Sequence, residues 1–130
     1  CRRLYYFPES RGSALAISAH LKFPENITIG DRCVISECTI GAKAKVQLGD
    51  DVTISKGAII ETGRLTREKG KRHKASPITI GSRSWIAANA IVLGGAVIGE
   101  DCVVGAGESF SGRLESGQSF VNGKIHKKVP

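Results

Sequence analysis

Aromatic residues are scarce in this 130-residue chain: they make up 5% of it, whereas all hydrophobic residues together make up 41%. The core must therefore be aliphatic, built mainly from isoleucine and valine. No run of 18 apolar residues occurs, which excludes a membrane-spanning helix. The pattern of a secretory signal peptide, a basic segment followed by an apolar one, is not seen at the start of the sequence, which opens with Cys1 rather than methionine. The length predicts one domain, 1–130, and we expect it in the cytoplasm.

Cysteine pairs with metal-ligand spacing are absent as well. The four cysteines are Cys1, Cys33, Cys38 and Cys102, and no two of them form a C-x-x-C pair. We therefore expect free thiols and no zinc site. Since no Ser-His-Asp grouping or reactive-cysteine setting is evident, a covalent acyl-enzyme is not expected either.

What the chain does have is a strict period of six. A helix repeats its apolar face at about 3.6 residues and a strand at 2, so neither explains this spacing. A chain wound around a triangular prism does, because each flat side takes six residues and turns one of them inward. The inward residues are Ile80, Ile86, Val92, Ile98, Val104 and Phe110, and small residues follow the first four at Ser84, Ala90, Ala96 and Cys102.

The same pattern appears earlier, with less regular spacing. Its inward residues are Ile29, Ile35, Ile40, Leu48, Ile54 and Ile60. The uneven step from Ile40 to Leu48 indicates a small insertion or a changed corner. Glycines follow several inward residues, where tight corners favour a positive φ or a close backbone approach. The alternative, a β-sandwich of short strands, would need period-2 alternation.

These stretches predict an all-β solenoid of about four coils. Residues 27–62 and 77–112 are each long enough for two 18-residue coils. The predicted segments are an N-terminal cap (1–21), the first coils (22–62), a basic loop (63–76), the last coils (77–112) and a C-terminal tail (113–130).

The net charge of +7 is concentrated in the loop 63–76 rather than spread over a face. The loop holds one acidic residue, Glu68, and six basic ones: Arg64, Arg67, Lys69, Lys71, Arg72 and Lys74. The loop is either a solvated excursion or an arm that reaches over a neighbouring subunit toward an anionic ligand. Nucleic-acid binding is not expected, because the loop holds no aromatic residue on which a base could stack.

Three segments resemble the hexapeptide-repeat O-acetyltransferases of the maltose, galactoside and polysaccharide-biosynthesis type. They are FPENITIG (23–30), VTISKGAIIETG (52–63) and SPITIGSRSWIAANAIVLGGAVIGEDCVVGAGESF (76–110). The resemblance implies a left-handed parallel β-helix and a homotrimer with active sites between subunits. It also implies transfer of an acetyl group from acetyl-CoA to a hydroxyl or amine of a sugar or other small acceptor.

The resemblance also implies which residues bind the substrate and which bind the donor. Trp85 matches a position whose ring flanks the site and contacts the substrate, as Glu61 and Arg72 are also expected to do, with a surface anchor as the alternative for Trp85. Arg113 and Lys127 fall near the basic residues that meet the CoA phosphates, or they are simply solvated. The residues matched to the pantetheine-binding turns are Ala87, Ala88, Gly105, Ala106 and Gly107.

The catalytic base is where the chain departs from the maltose-type pattern, in which a histidine follows the TG motif. Here Thr62-Gly63 is followed by Arg64-Leu65, so leucine stands at that position. The segment GKRHKASPI (70–78) instead resembles the loop ending of the serine acetyltransferases. We therefore predict His73 as the base, assisted by Arg72 or Glu61, with neighbouring cations keeping the imidazole neutral.

Two other functions are compared with the pattern of residues. The missing histidine favours a non-catalytic β-helix scaffold, or an acetyltransferase relative that has lost its base. A carbonic anhydrase would need three clustered histidines, whereas His20 is placed before the first coil, His73 in the loop and His126 in the tail. The sequence does not identify the acceptor.

Overall fold

Short β-strands form almost all of the regular structure in the computed structural model, which describes residues 10–16, 18–65 and 73–127. A single 3₁₀ turn, Pro24–Asn26, interrupts them within that part. Within the same part, no helix is long and apolar enough to cross a membrane. The strands of the first two coils are β1 (Ala14–Leu15), β2 (His20–Lys22), β3 (Ile27–Ile29), β4 (Val34–Ile35), β5 (Thr39–Gly41) and β6 (Val46–Leu48).

The later coils continue the same arrangement. The third coil holds β7 (Thr53–Ile54), β8 (Ile59–Glu61), β9 (Gly63–Leu65), β10 (His73–Ala75) and β11 (Ile78–Ile80). The fourth holds β12 (Trp85–Ile86), β13 (Ile91–Leu93) and β14 (Val97–Ile98), and the fifth holds β15 (Val103–Val104), β16 (Ser109–Phe110) and β17 (Arg113–Leu114). The chain then ends in β18 (Ser119–Val121) and β19 (Lys124–His126).

Each coil contributes one strand to each of three sheets, in which neighbouring coils pair in parallel. Sheet A has the order β1-β4-β7-β12-β15-β18-β19, sheet B β2-β5-β8-β13-β16 and sheet C β17-β14-β11-β6-β3. The last strand, β19, turns back antiparallel on β18. This is the predicted all-β solenoid, a left-handed parallel β-helix.

The solenoid has five coils rather than four and extends past the predicted boundaries. Strands β1 and β2 lie within the segment 1–21, and β17 to β19 lie within the segment 113–130. The six-residue spacing did not predict the two end coils. Leu21 and Ile29 are eight positions apart, and Phe110 and Leu114 are only four apart. His20, expected before the first coil, is the first residue of β2.

The core consists of three stacks of inward side chains, one for each sheet. Strand register places each residue directly against its counterpart in the next coil. Burying these aliphatic side chains supplies the main driving force for folding. Deeply buried members are Ile54, Ile86 and Val104 in sheet A, Ile40, Ile60 and Val92 in sheet B, and Val46, Ile78, Ile80, Ile98 and Leu114 in sheet C.

The corner that joins sheet C to sheet A, here the CA corner, is constant from coil to coil. A column of glycines marks it at Gly30, Gly49, Gly81 and Gly99, and a Cβ on Gly81 would lie 2.5 Å from the carbonyl carbon of Gly99. Close backbone approach therefore requires these glycines. The positive φ angles fall two residues later, on non-glycine residues: Arg32, Asp51, Arg83 and Asp101.

The other two corners vary in length. At the corner from sheet B to sheet C, the BC corner, the inward residues Leu21 and Ile29 are eight apart, as are Ile40 and Leu48. The uneven step seen in the sequence is thus a wider BC corner, and the whole basic loop is inserted at the same corner of the third coil. At the corner from sheet A to sheet B, the AB corner, the second coil is one residue short, between Ile35 and Ile40.

Candidate functional site

The predicted basic loop begins and ends as a two-stranded antiparallel hairpin. Strand β10 pairs with β9, so that the backbone of His73 lies opposite Leu65 and that of Ala75 opposite Gly63. This fixes the backbone of the predicted base at the BC corner of the third coil. The His73 side chain and the whole of Arg72 lie outside the described residues.

Thr62 anchors the base of this hairpin. Its buried hydroxyl donates to the carbonyl of Gly41 over 2.9 Å and accepts from the N–H of Ala44 over 3.1 Å. Where the chain returns, the N–H of Ser76 donates to the carbonyl of Thr62 over 3.0 Å. A Cβ on Gly94 would collide with that same carbonyl. The sequence showed Thr62 only as part of the TG motif, and its anchoring role was missed.

Glu61 lies immediately before the hairpin, at the end of β8. Its half-buried carboxylate accepts a hydrogen bond from the N–H of Gly63 over 3.1 Å. It also occupies the space above Gly41, where a Cβ would come within 2.5 Å of Oε1. The structure therefore brings Glu61 and the backbone of the His73 strand to one corner.

The residues expected to hold the donor meet at a different place, the AB corner of the fourth and fifth coils. The N–H of Gly107 donates to the carbonyl of Ala88 over 3.0 Å, which stacks one turn on the other. In the fifth coil the N–H of Glu108 closes a four-residue turn onto the carbonyl of Gly105, with Gly107 at φ 72°. Ala87 begins the equivalent turn of the fourth coil.

The backbone N–H groups of the middle residues of these turns, Ala88 and Ala106, meet no acceptor in the described part of the chain. Ala88 is half-buried and Ala106 is exposed. At the CA corner, by contrast, three of the equivalent N–H groups, those of Asp31, Asp50 and Glu100, meet a side-chain acceptor on the next turn. The N–H of Asp50, for example, donates to the hydroxyl of Ser82 over 3.0 Å. Open donors at the AB corner are suited to the carbonyl oxygens of a ligand.

Trp85 borders the AB corner from the outer face of sheet A. Its ring is 48% exposed, and its indole N–H donates to the hydroxyl of Ser55 over 2.7 Å. Ser55 begins the AB corner of the third coil, so the indole is fixed beside that corner. The position fits both sequence-based readings of Trp85, a flank of the site and a surface anchor.

The two basic residues expected to meet the CoA phosphates lie on other faces. Arg113 is exposed at the start of β17 in sheet C, where its guanidinium Nε contacts Glu115 Oε1 at 3.1 Å. Lys127 is exposed just after β19, at the edge of sheet A. A single subunit therefore does not gather Arg113 and Lys127 around the AB corner.

The cysteines of the described coils are buried and free. Burial raises the pKa of the Cys38 thiol to about 11 and also raises the pKa values of Cys33 and Cys102. These thiols are therefore protonated and poorly nucleophilic at neutral pH. Within the described residues, histidine, cysteine and acidic side chains form no group of three or more that could hold a metal ion.

The coils match two family models. A bacterial transferase hexapeptide model of six repeats covers residues 77–107, and a hexapeptide-repeat model of succinyl-transferase covers residues 26–62. The chain belongs to the bacterial hexapeptide-repeat transferase family. This confirms the resemblance that the sequence motifs indicated.

Relatives and solved structures agree with this assignment. Serine acetyltransferase of Helicobacter pylori is 37% identical over 78 residues, which are 60% of this chain and 42% of that protein. A maltose O-acetyltransferase of Clostridium difficile superposes with a TM-score of 0.81 and 21% identity, over 96% of this chain and 69% of that one. A hexapeptide-repeat acetyltransferase of Vibrio cholerae, complexed with acetyl coenzyme A, gives a TM-score of 0.83 at 21% identity over 90% and 67%. The chain thus spans less than half the length of the curated relative.

Proposed function

We propose that this protein transfers an acetyl group from acetyl-CoA to a hydroxyl or amine of a sugar or other small acceptor. The observation that carries the proposal is the pair of open N–H groups of Ala88 and Ala106, stacked at one corner beside Trp85. The names of the serine, maltose and hexapeptide-repeat acetyltransferases that resemble the chain support it.

The donor lies along the AB corner of the last two coils in this proposal. The pantetheine arm of CoA carries amide carbonyls, which accept hydrogen bonds from backbone N–H groups such as those of Ala88 and Ala106. Gly107 leaves that surface free of a side chain, since a Cβ there would meet nothing within 4 Å, so the arm can lie close to the backbone. Arg113 and Lys127 are proposed to meet the CoA phosphates, for which guanidinium and ammonium groups are suited.

The transfer itself needs a base and a stabilised tetrahedral intermediate. The acceptor hydroxyl attacks the thioester carbonyl, a C–O bond forms, and the C–S bond then breaks to release CoA. His73 takes the hydroxyl proton and returns it to the departing thiolate, a role that suits an imidazole near neutral pH. A backbone N–H in a coil turn stabilises the oxyanion.

The site is proposed to lie between subunits of a homotrimer. In one chain the hairpin is at the BC corner and the open N–H groups are at the AB corner, with sheet B between them. A single copy therefore does not bring the strand of His73 to the donor residues. In the proposed trimer, the hairpin of one copy faces the AB corner of the next.

Calorimetry with acetyl-CoA tests the donor site without knowledge of the acceptor. We expect micromolar binding by the wild type and weaker binding, by about two- to tenfold, for Ala106→Pro, which removes one N–H donor. Proline fits this position, since Ala106 precedes the positive-φ residue of a tight turn. Lys56→Pro is the matched control, because it makes the same change at the AB corner of the third coil.

Two results would contradict the proposal. Equal affinity of wild type and Ala106→Pro would remove the AB corner from donor binding. No binding at millimolar acetyl-CoA would instead favour the alternative function, a non-catalytic scaffold.

A further inference from the structure

The first three coils carry a recess at the AB corner. In the third coil the step from the inward Ile54 to Ile60 is six positions, but in the second coil the step from Ile35 to Ile40 is only five. The missing position is the one that Gly57 holds in the third coil, with φ 81°. The shorter turn of the second coil leaves this corner open beside Glu37 and Thr39.

The recess is an open depression of about 370 Å³ in the first three coils, and half of its lining residues carry polar side chains. Ser18 and His20 lie on the first coil, Glu37 and Thr39 on the second, and Gly57 and Ile59 on the third. His20 and Thr39 are partners in the β2–β5 pairing, so their side chains project side by side from sheet B. A carboxylate, an imidazole and two hydroxyls therefore face one opening.

Glu37 supplies the one acidic side chain of the recess lining. Glu37 is exposed, and within the described residues its carboxylate has no ion-pair partner. No lysine or arginine is among the lining residues. Lys56 lies on the neighbouring coil beside Glu37 but outside the lining. The recess therefore suits a ligand with a positive charge and hydroxyl groups, and it disfavours one that carries an acid.

The recess is continuous with the corner that we assign to the donor. The N–H of Gly57 donates to the carbonyl of Glu37 over 2.7 Å, and that of Asn89 donates to the carbonyl of Lys56 over 3.1 Å, so one line of stacked turns leads onward to Ala88. Coils pair at a spacing of about 4.8 Å, which puts Glu37 about 10 Å from Ala88 along the corner. An acetyl group at the end of a donor bound there would point toward the recess.

We propose that this recess is the acceptor site and that it takes a small hydroxylated amine, such as an amino sugar. This inference rests on the proposed acetyl transfer. Glu37 pairs with the ammonium group, while Ser18, His20 and Thr39 bind hydroxyls of the ring. A protonated amine held by a carboxylate is not nucleophilic, so the acetylated group is a hydroxyl. Its proton passes to the imidazole of His73, a C–O bond forms and CoA leaves.

Glucosamine is the probe, and amide chemical shifts are the readout that needs no activity. Glucosamine should shift the amide signals of Thr39, Gly57 and Ile59 in the wild type, whereas L-serine, which carries a carboxylate, should shift them far less. Glu37→Gln should weaken glucosamine binding at least tenfold and leave acetyl-CoA affinity unchanged. Glu25→Gln removes an equivalent exposed charge at the 3₁₀ turn and is the matched control.

A second variant restores the missing position. One glycine inserted between Glu37 and Cys38 gives this corner the six-residue step of the next coil, so the fold should persist while the recess closes and glucosamine binding is lost. The inference is overturned if glucosamine leaves these amide signals unmoved, if L-serine binds better, or if Glu37→Gln and the insertion variant both bind glucosamine like the wild type. Those results do not affect acetyl-CoA binding, which calorimetry measures separately. Failure of the proposed function would appear instead as the absence of acetyl-CoA binding.

Discussion

The CA corner and the BC corner of this prism differ in how their length varies from coil to coil. At the CA corner every coil takes the same number of residues, and backbone N–H groups such as that of Asp50 are capped by the next coil. At the BC corner the length changes from coil to coil, and the third coil extends there into the β9–β10 hairpin. The constant corner holds the fold, and the variable one carries the residues predicted for chemistry.

The largest expected effect is at the variable corner. His73→Ala should lower turnover by about 10²- to 10⁴-fold, because no other group is assigned to take the acceptor proton. Release of CoA from acetyl-CoA with glucosamine as the acceptor measures it. Acetyl-CoA affinity and the free energy of unfolding should stay unchanged. Wild-type turnover in this variant would remove His73 from the mechanism.

Mixed trimers sharpen the same test. If each site combines the hairpin of one copy with the AB corner of the next, His73→Ala and Ala106→Pro damage different copies. Unfolding and refolding the two variants together should then produce some intact sites, so that turnover at subsaturating acetyl-CoA exceeds the mean of the two variants measured separately. Turnover no greater than that mean would place both residues in one chain's site.

A stability effect is expected next, at the constant corner. Gly81→Ala should lower the free energy of unfolding by about 1–3 kcal/mol, since its Cβ would press on the backbone of Gly99. Gly112→Ala is the control, because the nearest atoms to its Cβ belong to the Phe110 ring at 3.5 and 3.6 Å. It should change stability by less than about 0.5 kcal/mol. Urea denaturation compares them, and equal losses would show that the CA corner is no tighter than the rest.

The smallest effect concerns charges at the CA corner. Arg32 contacts Asp51 at 3.0 Å and lowers the pKa of that carboxyl below its ordinary value of 3.8. The ionised carboxylate therefore favours the folded state at neutral pH, and this contribution is lost as the pH falls through the lowered pKa. Thermal unfolding at several pH values should show a slightly steeper loss below pH 4 for the wild type than for Asp51→Asn. Identical slopes, with Glu25→Gln as the control, would show that the pair does not stabilise the fold.

The period of six made the coils predictable from sequence, because every inward residue of a straight prism wall must be apolar. It failed at the ends, where Leu21 to Ile29 and Phe110 to Leu114 depart from that spacing. It also assigned the positive φ angles to glycines, whereas residues such as Arg83 adopt them. An exposed corner tolerates a charged side chain in that conformation, and the glycine is needed where coils touch.

The candidate site was less predictable, because sequence motifs do not show which corner a residue occupies. The TG motif located Glu61 and the hairpin, and the WIAANA and VGAGE segments located the stacked turns. That sheet B separates these two groups follows only from the strand pairing. His20 could not be connected with Glu37 either, since that connection requires the first coil to begin earlier than its spacing indicates.

The closure at Thr62 and Ser76 has an evolutionary consequence. A hydrogen bond between Ser76 and Thr62 joins the two ends of the inserted loop, and Thr62 is itself bonded to Gly41 of the preceding coil. The coils after the loop therefore keep their register whatever sequence the loop contains. The intervening segment can therefore be lengthened, recharged or exchanged without disturbing the register of later coils. Such a junction lets selection change what the protein acts on while the framework is inherited intact.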